Sequence, residues 1–197
     1  SGIPVFERAK LFGAITRMYP NCIGVCGTHG KTTTTSMCTH ILMAAEKDPT
    51  VMIGGTLPLL KASHRIGSGD TIIMESCEYY NSFLAFSPTV AVILNVGEDH
   101  LDFFKDIEDI KRSFRSFAEK VPEHGCVVAN YDDANTMDAL RGIGRRVMTF
   151  GMSYCAALAF AASIFTSQQA TTSVTEKRYF KFRMYTLLII PHPTIAV

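Results

Sequence analysis

Residues 22–32 read CIGVCGTHGKT, a short apolar run that passes directly into a glycine loop. The run at residues 22–26 predicts a buried strand, and the two glycines of GTHGKT predict a tight loop after it. A helical pattern follows over residues 31–46. Strand, glycine loop and helix together predict an anion site, because the N–H groups of the loop and the positive end of the helix converge there.

The chain continues to about residue 151 as apolar runs that alternate with helical patterns. Further strands are predicted at residues 71–75, 90–95, 126–130 and 145–150. Helices are predicted at residues 31–46, with Met37, Ile41, Leu42 and Ala45 on one face, at residues 106–121, and from residue 132 to about residue 141. The alternation predicts an α/β fold, a parallel sheet flanked by helices.

Polar residues follow three of the predicted strands. They lie at residues 27–32, 75–78 and 95–100. Because ligands of parallel sheets bind at the carboxyl ends of the strands, these three clusters predict one shared site.

The composition is that of an ordinary globular chain. Its 197 residues are 47% hydrophobic and 19% charged, a size that excludes a disulfide-stapled miniprotein. Nineteen basic and eighteen acidic residues leave a net charge of +1, so no global field attracts nucleic acid or an anionic membrane. Any bound anion must therefore be held locally.

Membrane insertion and a disulfide framework are both disfavoured. The longest apolar stretch, residues 155–165, is shorter than the roughly 20 residues that span a bilayer. The start of the chain has neither Met nor an apolar leader, and we expect a cytoplasmic protein whose given sequence begins within a longer chain.

Buried free thiols are expected for all six cysteines, which form no CxxC or zinc spacing: Cys22, Cys26, Cys38, Cys77, Cys126 and Cys155.

The glycine loop has the chemistry of a phosphate loop but not its strict spacing. Val25 stands where the pattern GxxxxGK[ST] has its first glycine. In the functional interpretation, Lys31 bridges the β and γ phosphates and the hydroxyl of Thr32 binds Mg2+. The alternative is a tight turn with a surface lysine, but four threonines in a row after the lysine are poor helix formers unless their hydroxyls are used.

Three motifs in order carry a resemblance to a known family. GTHGKTTT from residue 27, ESCEY at residues 75–79 and NVGEDHLDFF at residues 95–104 resemble the ATP-binding central domain of the Mur ligases, over about residues 2–151. The resemblance implies a P-loop NTPase-like fold, ATP and Mg2+ as cofactors, and amide formation through an acyl phosphate. It also implies UDP-N-acetylmuramate and L-alanine as substrates in peptidoglycan synthesis, with recycled murein peptide as the alternative to L-alanine.

The same resemblance implies roles for individual residues. Lys31, Glu75 and His100 would be catalytic, and Thr32, Glu75 and His100 would bind metal, although imidazole is a softer ligand than Mg2+ prefers. Glu78, Asp99 and Asp102 either support these groups or cap helices. The nucleotide-binding residues implied are Gly27, Thr28, His29, Gly30, Lys31, Thr32, Thr33 and Asn95.

The ends of the chain depart from the family pattern. We expect residues 1–20 to be the exit helix or linker of a preceding domain, residues 21–151 to be the ATP-binding domain, and residues 152–197 to be an unmatched tail. Our hypothesis is a fragment whose tail is read in a wrong frame or belongs to a divergent insertion, which leaves catalysis by this chain alone in doubt. Within the tail, alternation at residues 180–185 predicts an edge strand, and residues 187–190 predict either another strand or a poorly ordered end. The aromatic and basic stretch KRYFKFR fits such a strand better than a nucleic-acid contact.

Other classes of function remain open on the residues alone. One is a stand-alone P-loop NTPase or kinase, but Val25 and the strand that ends in Glu75 count against it. The other is a non-catalytic nucleotide-binding module. No nucleic-acid or membrane partner is expected, and the residues leave the oligomeric state unknown.

Overall fold

A computed structural model describes residue 3 and residues 5–152. A seven-stranded sheet in the order β3-β2-β4-β1-β5-β6-β7 forms its centre. The strands are β1 (Asn21–Cys26), β2 (Thr50–Leu57), β3 (Ala62–Arg65), β4 (Thr71–Glu75), β5 (Val90–Ile93), β6 (Cys126–Asn130) and β7 (Val147–Phe150). The helices are α1 (Arg8–Thr16), α2 (Lys31–Ala44), α3 (Ile107–Glu119) and α4 (Ala134–Ala139), with a kinked 3₁₀ segment at Tyr79–Ala85.

The middle of the sheet is parallel, as the continuous apolar runs predicted. β1 lies between β4 and β5, with Gly24 level with Met74 on one side and Ala91 on the other. Among the strands of the described residues, only the β2–β3 pair is antiparallel. The α/β fold with a parallel sheet is therefore confirmed, and the carboxyl ends of β1, β4 and β5 lie at one edge of the sheet.

Helix α3 covers one face of the sheet. Its cap is Asp106, whose carboxylate accepts a hydrogen bond of 2.8 Å from the N–H of Asp109. Phe114 and Phe117 on its inner face are fully buried, and Phe117 stacks on Phe83 of the 3₁₀ segment with ring centroids 4.6 Å apart. The core thus extends from the sheet to the segment that follows β4.

Helix α2 buries a different face from the one its apolar residues suggest. Met37 and Ile41 are 60% and 58% exposed, whereas Thr35 and Thr39 are fully buried. The phosphate loop explains this orientation. Lys31 is the first residue of α2, and residues four apart share a helix face, so a face that turns Lys31 towards the loop also turns Thr35 and Thr39 inward.

Two strands were not predicted from the sequence. β2 and β3 form a hairpin at one edge of the sheet, where β2 also pairs in parallel with β4. Gly54 and Gly55 interrupt the apolar pattern of β2, and β3 has no fully buried residue, so neither strand shows the periodicity on which prediction depends.

The described cysteines are all free. Cys22 and Cys26 are buried as expected, whereas Cys38 and Cys126 are only half-buried. Burial raises the pKa of Cys22 to about 12. Cys77 is exposed, so the prediction of burial is wrong there, because Cys77 lies in the loop after β4 rather than in the strand.

Within residues 3 and 5–152, no helix has the length and apolarity needed to cross a bilayer. The predictions made for Cys155, for the strands at residues 180–185 and 187–190, and for the tail as a whole fall outside the described residues.

Candidate nucleotide-binding site

The loop between β1 and α2 has a backbone that requires glycine at two positions. Gly27 has a φ of 142° and Gly30, the N-cap of α2, a φ of 84°. A Cβ atom on Gly27 would also lie 3.0 Å from the Cβ of Leu94. The sequence GTHG therefore allows a turn that ends with the N-terminus of α2 facing the loop, as a phosphate site needs.

The loop is held in shape by the segment after β5. The side chain of Asn95 accepts a hydrogen bond from the N–H of His29 at 2.8 Å and donates one to the carbonyl of His29 at 3.0 Å. The hydroxyl of Thr28 accepts one from the N–H of Gly97 at 2.8 Å. Asn95 and Thr28 thus shape the loop from behind, while the side chain of His29 lies at the surface.

Lys31 lies with its ammonium group inside the loop. Nζ is 2.6 Å from the carbonyl oxygen of Gly27 and 3.3 Å from that of Thr28. It also forms an ion pair with Glu78, whose two carboxylate oxygens are 3.1 and 3.2 Å away. The Lys31 side chain is 14% exposed and that of Glu78 only 3%, so this is a buried pair rather than a surface lysine. The geometry counts against the interpretation of a tight turn with a solvated lysine.

Thr32 and Glu75 face each other across the end of the sheet. The hydroxyl of Thr32 donates to the Glu75 carboxylate, with Oγ1 3.0 and 3.1 Å from its two oxygens. The same carboxylate accepts a 2.8 Å hydrogen bond from the N–H of Gly54 in β2. A hydroxyl and a carboxylate are hard oxygen donors of the kind that Mg2+ prefers, so this pair fits the metal that the sequence implied.

Gly54 leaves the space in which the Glu75 carboxylate lies. A Cβ at this position would be 2.8 and 2.9 Å from the two carboxylate oxygens, closer than real Cβ contacts come. The sequence analysis missed this residue together with β2. The signal available was the Gly54-Gly55 pair inside a strand pattern, which marks close approach of another group to the backbone.

Gly54→Ala is expected to displace the Glu75 carboxylate and to weaken the binding of a Mg2+–nucleotide complex by about tenfold, the effect of losing one hydrogen bond to a charged group. Calorimetric titration with ADP and Mg2+ would measure it. The matched control is Gly55→Ala, because a Cβ there meets only a methyl group of Thr32 at 3.5 Å. Equal affinity for the two variants would contradict this role of Gly54.

His100 lies near a different set of acidic groups from the one expected. Its ligand atoms fall within 4.8 Å of those of Glu78 and Asp99. The metal-ligand set implied by the sequence was Thr32, Glu75 and His100. Among the described residues, Thr32 and Glu75 contact each other, while His100 groups with Glu78 and Asp99. A shared metal for all three therefore stays a prediction.

The imidazole of His100 is positioned by an aromatic residue. Tyr79 stacks on it with ring centroids 4.2 Å apart, and its hydroxyl donates to the carboxylate of Asp102. That hydrogen bond is the main reason why the pKa of Tyr79 is raised, so Tyr79 stays a neutral donor. His100 itself has a left-handed φ of 54°, which places strain next to the site.

The three acidic residues of uncertain role have contacts other than helix caps. Glu78 binds Lys31, Asp102 accepts from Tyr79, and Asp99 accepts a 2.8 Å hydrogen bond from the N–H of His100. Sequence reasoning left Glu78 undecided and missed Tyr79, although both belong to the quoted motif ESCEY. Thr33 is exposed in the first turn of α2, and His40 and His64 are exposed.

Comparisons with known proteins show which family the chain matches. The sequence profile described as the Mur ligase middle domain matches residues 25–189. A UDP-N-acetylmuramate–L-alanine ligase from Caldanaerobacter subterraneus subsp. tengcongensis is 49% identical over 152 residues, which are 77% of this chain and 33% of that protein. The chain thus spans about a third of the length of the curated relatives it matches.

Two solved structures show the same fold. The UDP-N-acetylmuramate:L-alanyl-γ-D-glutamyl-meso-diaminopimelate ligase from Neisseria meningitidis superposes with a TM-score of 0.69 at 28% identity, covering 76% of this chain and 51% of that one. A MurF ligase from Thermotoga maritima, solved in complex with ADP, has a TM-score of 0.58 at 22% identity, covering 76% of this chain and 38% of that one.

Proposed function

Since this chain belongs to the Mur ligase family by its middle domain, we propose that it binds ATP with Mg2+ and forms the ATP-binding part of a ligase that joins L-alanine to UDP-N-acetylmuramate. Such a ligase acts in the synthesis of peptidoglycan precursors, in the cytoplasm. The observation that carries the proposal is the juxtaposition of Lys31, Thr32 and Glu75 at the carboxyl ends of β1 and β4.

Each part of the loop has a task in holding a triphosphate. The N–H groups around Gly30 and the start of α2 bind phosphate oxygens, and the ammonium of Lys31 bridges the β and γ phosphates. Thr32 and Glu75 would hold Mg2+, which when bound neutralises charge on the phosphates. Asn95 keeps the loop in the shape that these contacts need.

The reaction proposed is amide formation in two steps. The lactyl carboxylate of UDP-N-acetylmuramate attacks the γ-phosphorus, the bond to the β–γ bridging oxygen breaks, and ADP leaves. The amino group of L-alanine then attacks the acyl carbon of the resulting acyl phosphate, and inorganic phosphate leaves with loss of one proton from the amine. Charge builds up on the transferring phosphoryl group, so the contribution of Lys31 is electrostatic stabilisation and alignment rather than covalent chemistry.

L-alanine is preferred over a recycled murein peptide as the amine substrate. This preference rests on the curated relatives named for L-alanine, which are up to 49% identical, because the solved alanine ligase and the solved tripeptide ligase are both 28% identical. A stand-alone NTPase is disfavoured because Val25 replaces the first glycine of the strict phosphate loop and β4 ends in Glu75 rather than an aspartate.

The test has a binding step and a turnover step. ATP is titrated into the chain with and without Mg2+, and phosphate release is then measured with UDP-N-acetylmuramate and L-alanine, or with the tripeptide in place of L-alanine. Mg2+-dependent binding of ATP is the expected result for this chain, and phosphate release that requires both UDP-N-acetylmuramate and L-alanine is expected for a complete ligase that contains it. Binding without release in such a ligase would favour a non-catalytic nucleotide-binding module, and release independent of UDP-N-acetylmuramate would favour an NTPase.

A further inference from the structure

The ammonium group of Lys31 has no proton left for a phosphate. A lysine has three N–H donors. In this structure four acceptor atoms surround Nζ: the carbonyl oxygens of Gly27 and Thr28 and both carboxylate oxygens of Glu78, all within 3.3 Å. A phosphate oxygen can therefore bind Lys31 only if one of these acceptors is given up.

Glu78 is the acceptor with the strongest hold and a fixed position. Its residue is 2% exposed, and its negative charge adds the attraction of a buried ion pair, which the two neutral carbonyl oxygens do not supply. The following turn has left-handed φ values of 53° at Tyr80 and 55° at Asn81, and Asn81 is held by the hydroxyl of Ser113 in α3. Phe83, fully buried, fixes the end of the same turn in the core.

The carboxylate of Glu78 also lies where an incoming triphosphate would repel it. Besides Lys31, the ionisable groups close to it include Asp99, a second negative charge, His100, and the buried thiol of Cys26. When Lys31 turns to phosphate, the buried Glu78 loses its cationic partner, and a buried charge without a partner is costly. The transfer of Lys31 from Glu78 to a phosphate is therefore favourable only if a positive charge binds together with the phosphates.

We propose that Glu78 is a positioning residue that holds Lys31 in the empty loop and thereby makes nucleotide binding depend on a divalent cation. The proposal rests on the proposed function, because it concerns the same phosphate site. Without the cation, a bound nucleotide would break the Lys31–Glu78 ion pair and leave the buried charge of Glu78 without a partner. A cation held by Glu78 with Asp99 and His100, whose ligand atoms lie within 4.8 Å of one another, would balance the charge of Glu78 and release Lys31 to the phosphates.

The test is titration of ADP into the folded chain with Mg2+ and with EDTA, for the parent protein and for Glu78→Gln. Glutamine keeps the size of the side chain but removes its charge. Glu78→Gln is expected to raise the affinity for metal-free ADP by about tenfold or more, the equivalent of one hydrogen bond to a charged group. The ratio of the affinities with and without Mg2+ is expected to fall by the same factor.

The matched control is Asp99→Asn, which removes one charge from the same cluster without touching Lys31. Its affinity for metal-free ADP is expected to change by less than about twofold, because the Asp99 side chain is 43% exposed and its charge is screened. If Glu78→Gln does not fold, Glu78→Asp, which keeps the charge but shortens the reach to Lys31, should show a smaller change in the same direction.

Unchanged metal-free affinity in the folded Glu78 variant, or an equal rise in Asp99→Asn, would overturn the proposal. Failure of the proposed function has a different outcome, since the parent protein would then not bind ADP even with Mg2+.

Discussion

Replacing Lys31 with methionine is expected to weaken the binding of Mg2+–ATP by at least about a hundredfold, because it removes the only charge that the loop itself directs at the phosphates. Methionine keeps most of the side-chain length, so the loop can retain its shape. Turnover of an active ligase carrying the same change is expected to fall by orders of magnitude, as the transferring phosphoryl group would lose its cation. Calorimetric titration with Mg2+–ATP measures the first effect directly.

The same change has a second, separable effect on stability. Glu78 would be left as a buried carboxylate without its partner, at a cost of about 3 kcal/mol in the free energy of unfolding. Adding Glu78→Gln to Lys31→Met should recover part of that loss without restoring nucleotide binding. Lys47→Met is the matched control, because Lys47 is an exposed lysine beyond the end of α2. Unaltered Mg2+–ATP affinity in folded Lys31→Met would refute the role of Lys31.

Phe83→Ala is expected to lower the free energy of unfolding by about 3–5 kcal/mol, the usual cost of a cavity left by a buried phenylalanine. Its ring stacks on Phe117 and meets the edge of Phe114, with centroids 4.6 and 5.5 Å away. Because Phe83 also fixes the turn that follows Glu78, its loss should weaken the Lys31–Glu78 pair, and the affinity for metal-free ADP should rise as in Glu78→Gln. Urea denaturation followed by circular dichroism measures the stability change.

The matched control for Phe83→Ala is the same substitution at an exposed phenylalanine. Phe6 is 73% exposed, so Phe6→Ala is expected to change the free energy of unfolding by no more than about 0.5 kcal/mol. If both substitutions cost the same, Phe83 does not anchor the site segment in the core.

The sequence was sufficient for the centre of the sheet because buried parallel strands are continuous apolar runs. The predicted and observed starts of β4, β5 and β6 coincide, and β1 differs by one residue. The sequence was not sufficient to predict the strands at the edge of the sheet. β2 contains two glycines and β3 is half-exposed, so their pairing depends on contacts with β4 that no local pattern encodes.

In the candidate site, too, some residues could be predicted from the sequence and others could not. The sequence could bring Lys31, Thr32 and Glu75 together, because Glu75 ends one predicted strand and the other two follow a second predicted strand after the glycine loop at residues 27–30. The partner of Lys31 could not be predicted, because Glu78 reaches it through a turn with two left-handed non-glycine residues, Tyr80 and Asn81. Such backbone conformations are stabilised by tertiary contacts rather than by local sequence.

The most direct test of the account is a crystal structure of this chain with Mn2+ in place of Mg2+ and a non-hydrolysable ATP analogue. The account predicts an anomalous peak for the metal at Thr32 and Glu75, and Nζ of Lys31 within hydrogen-bond distance of the phosphates and released from Glu78. A nucleotide bound away from residues 27–32, or Lys31 still paired only with Glu78 while phosphates fill the loop, would contradict it.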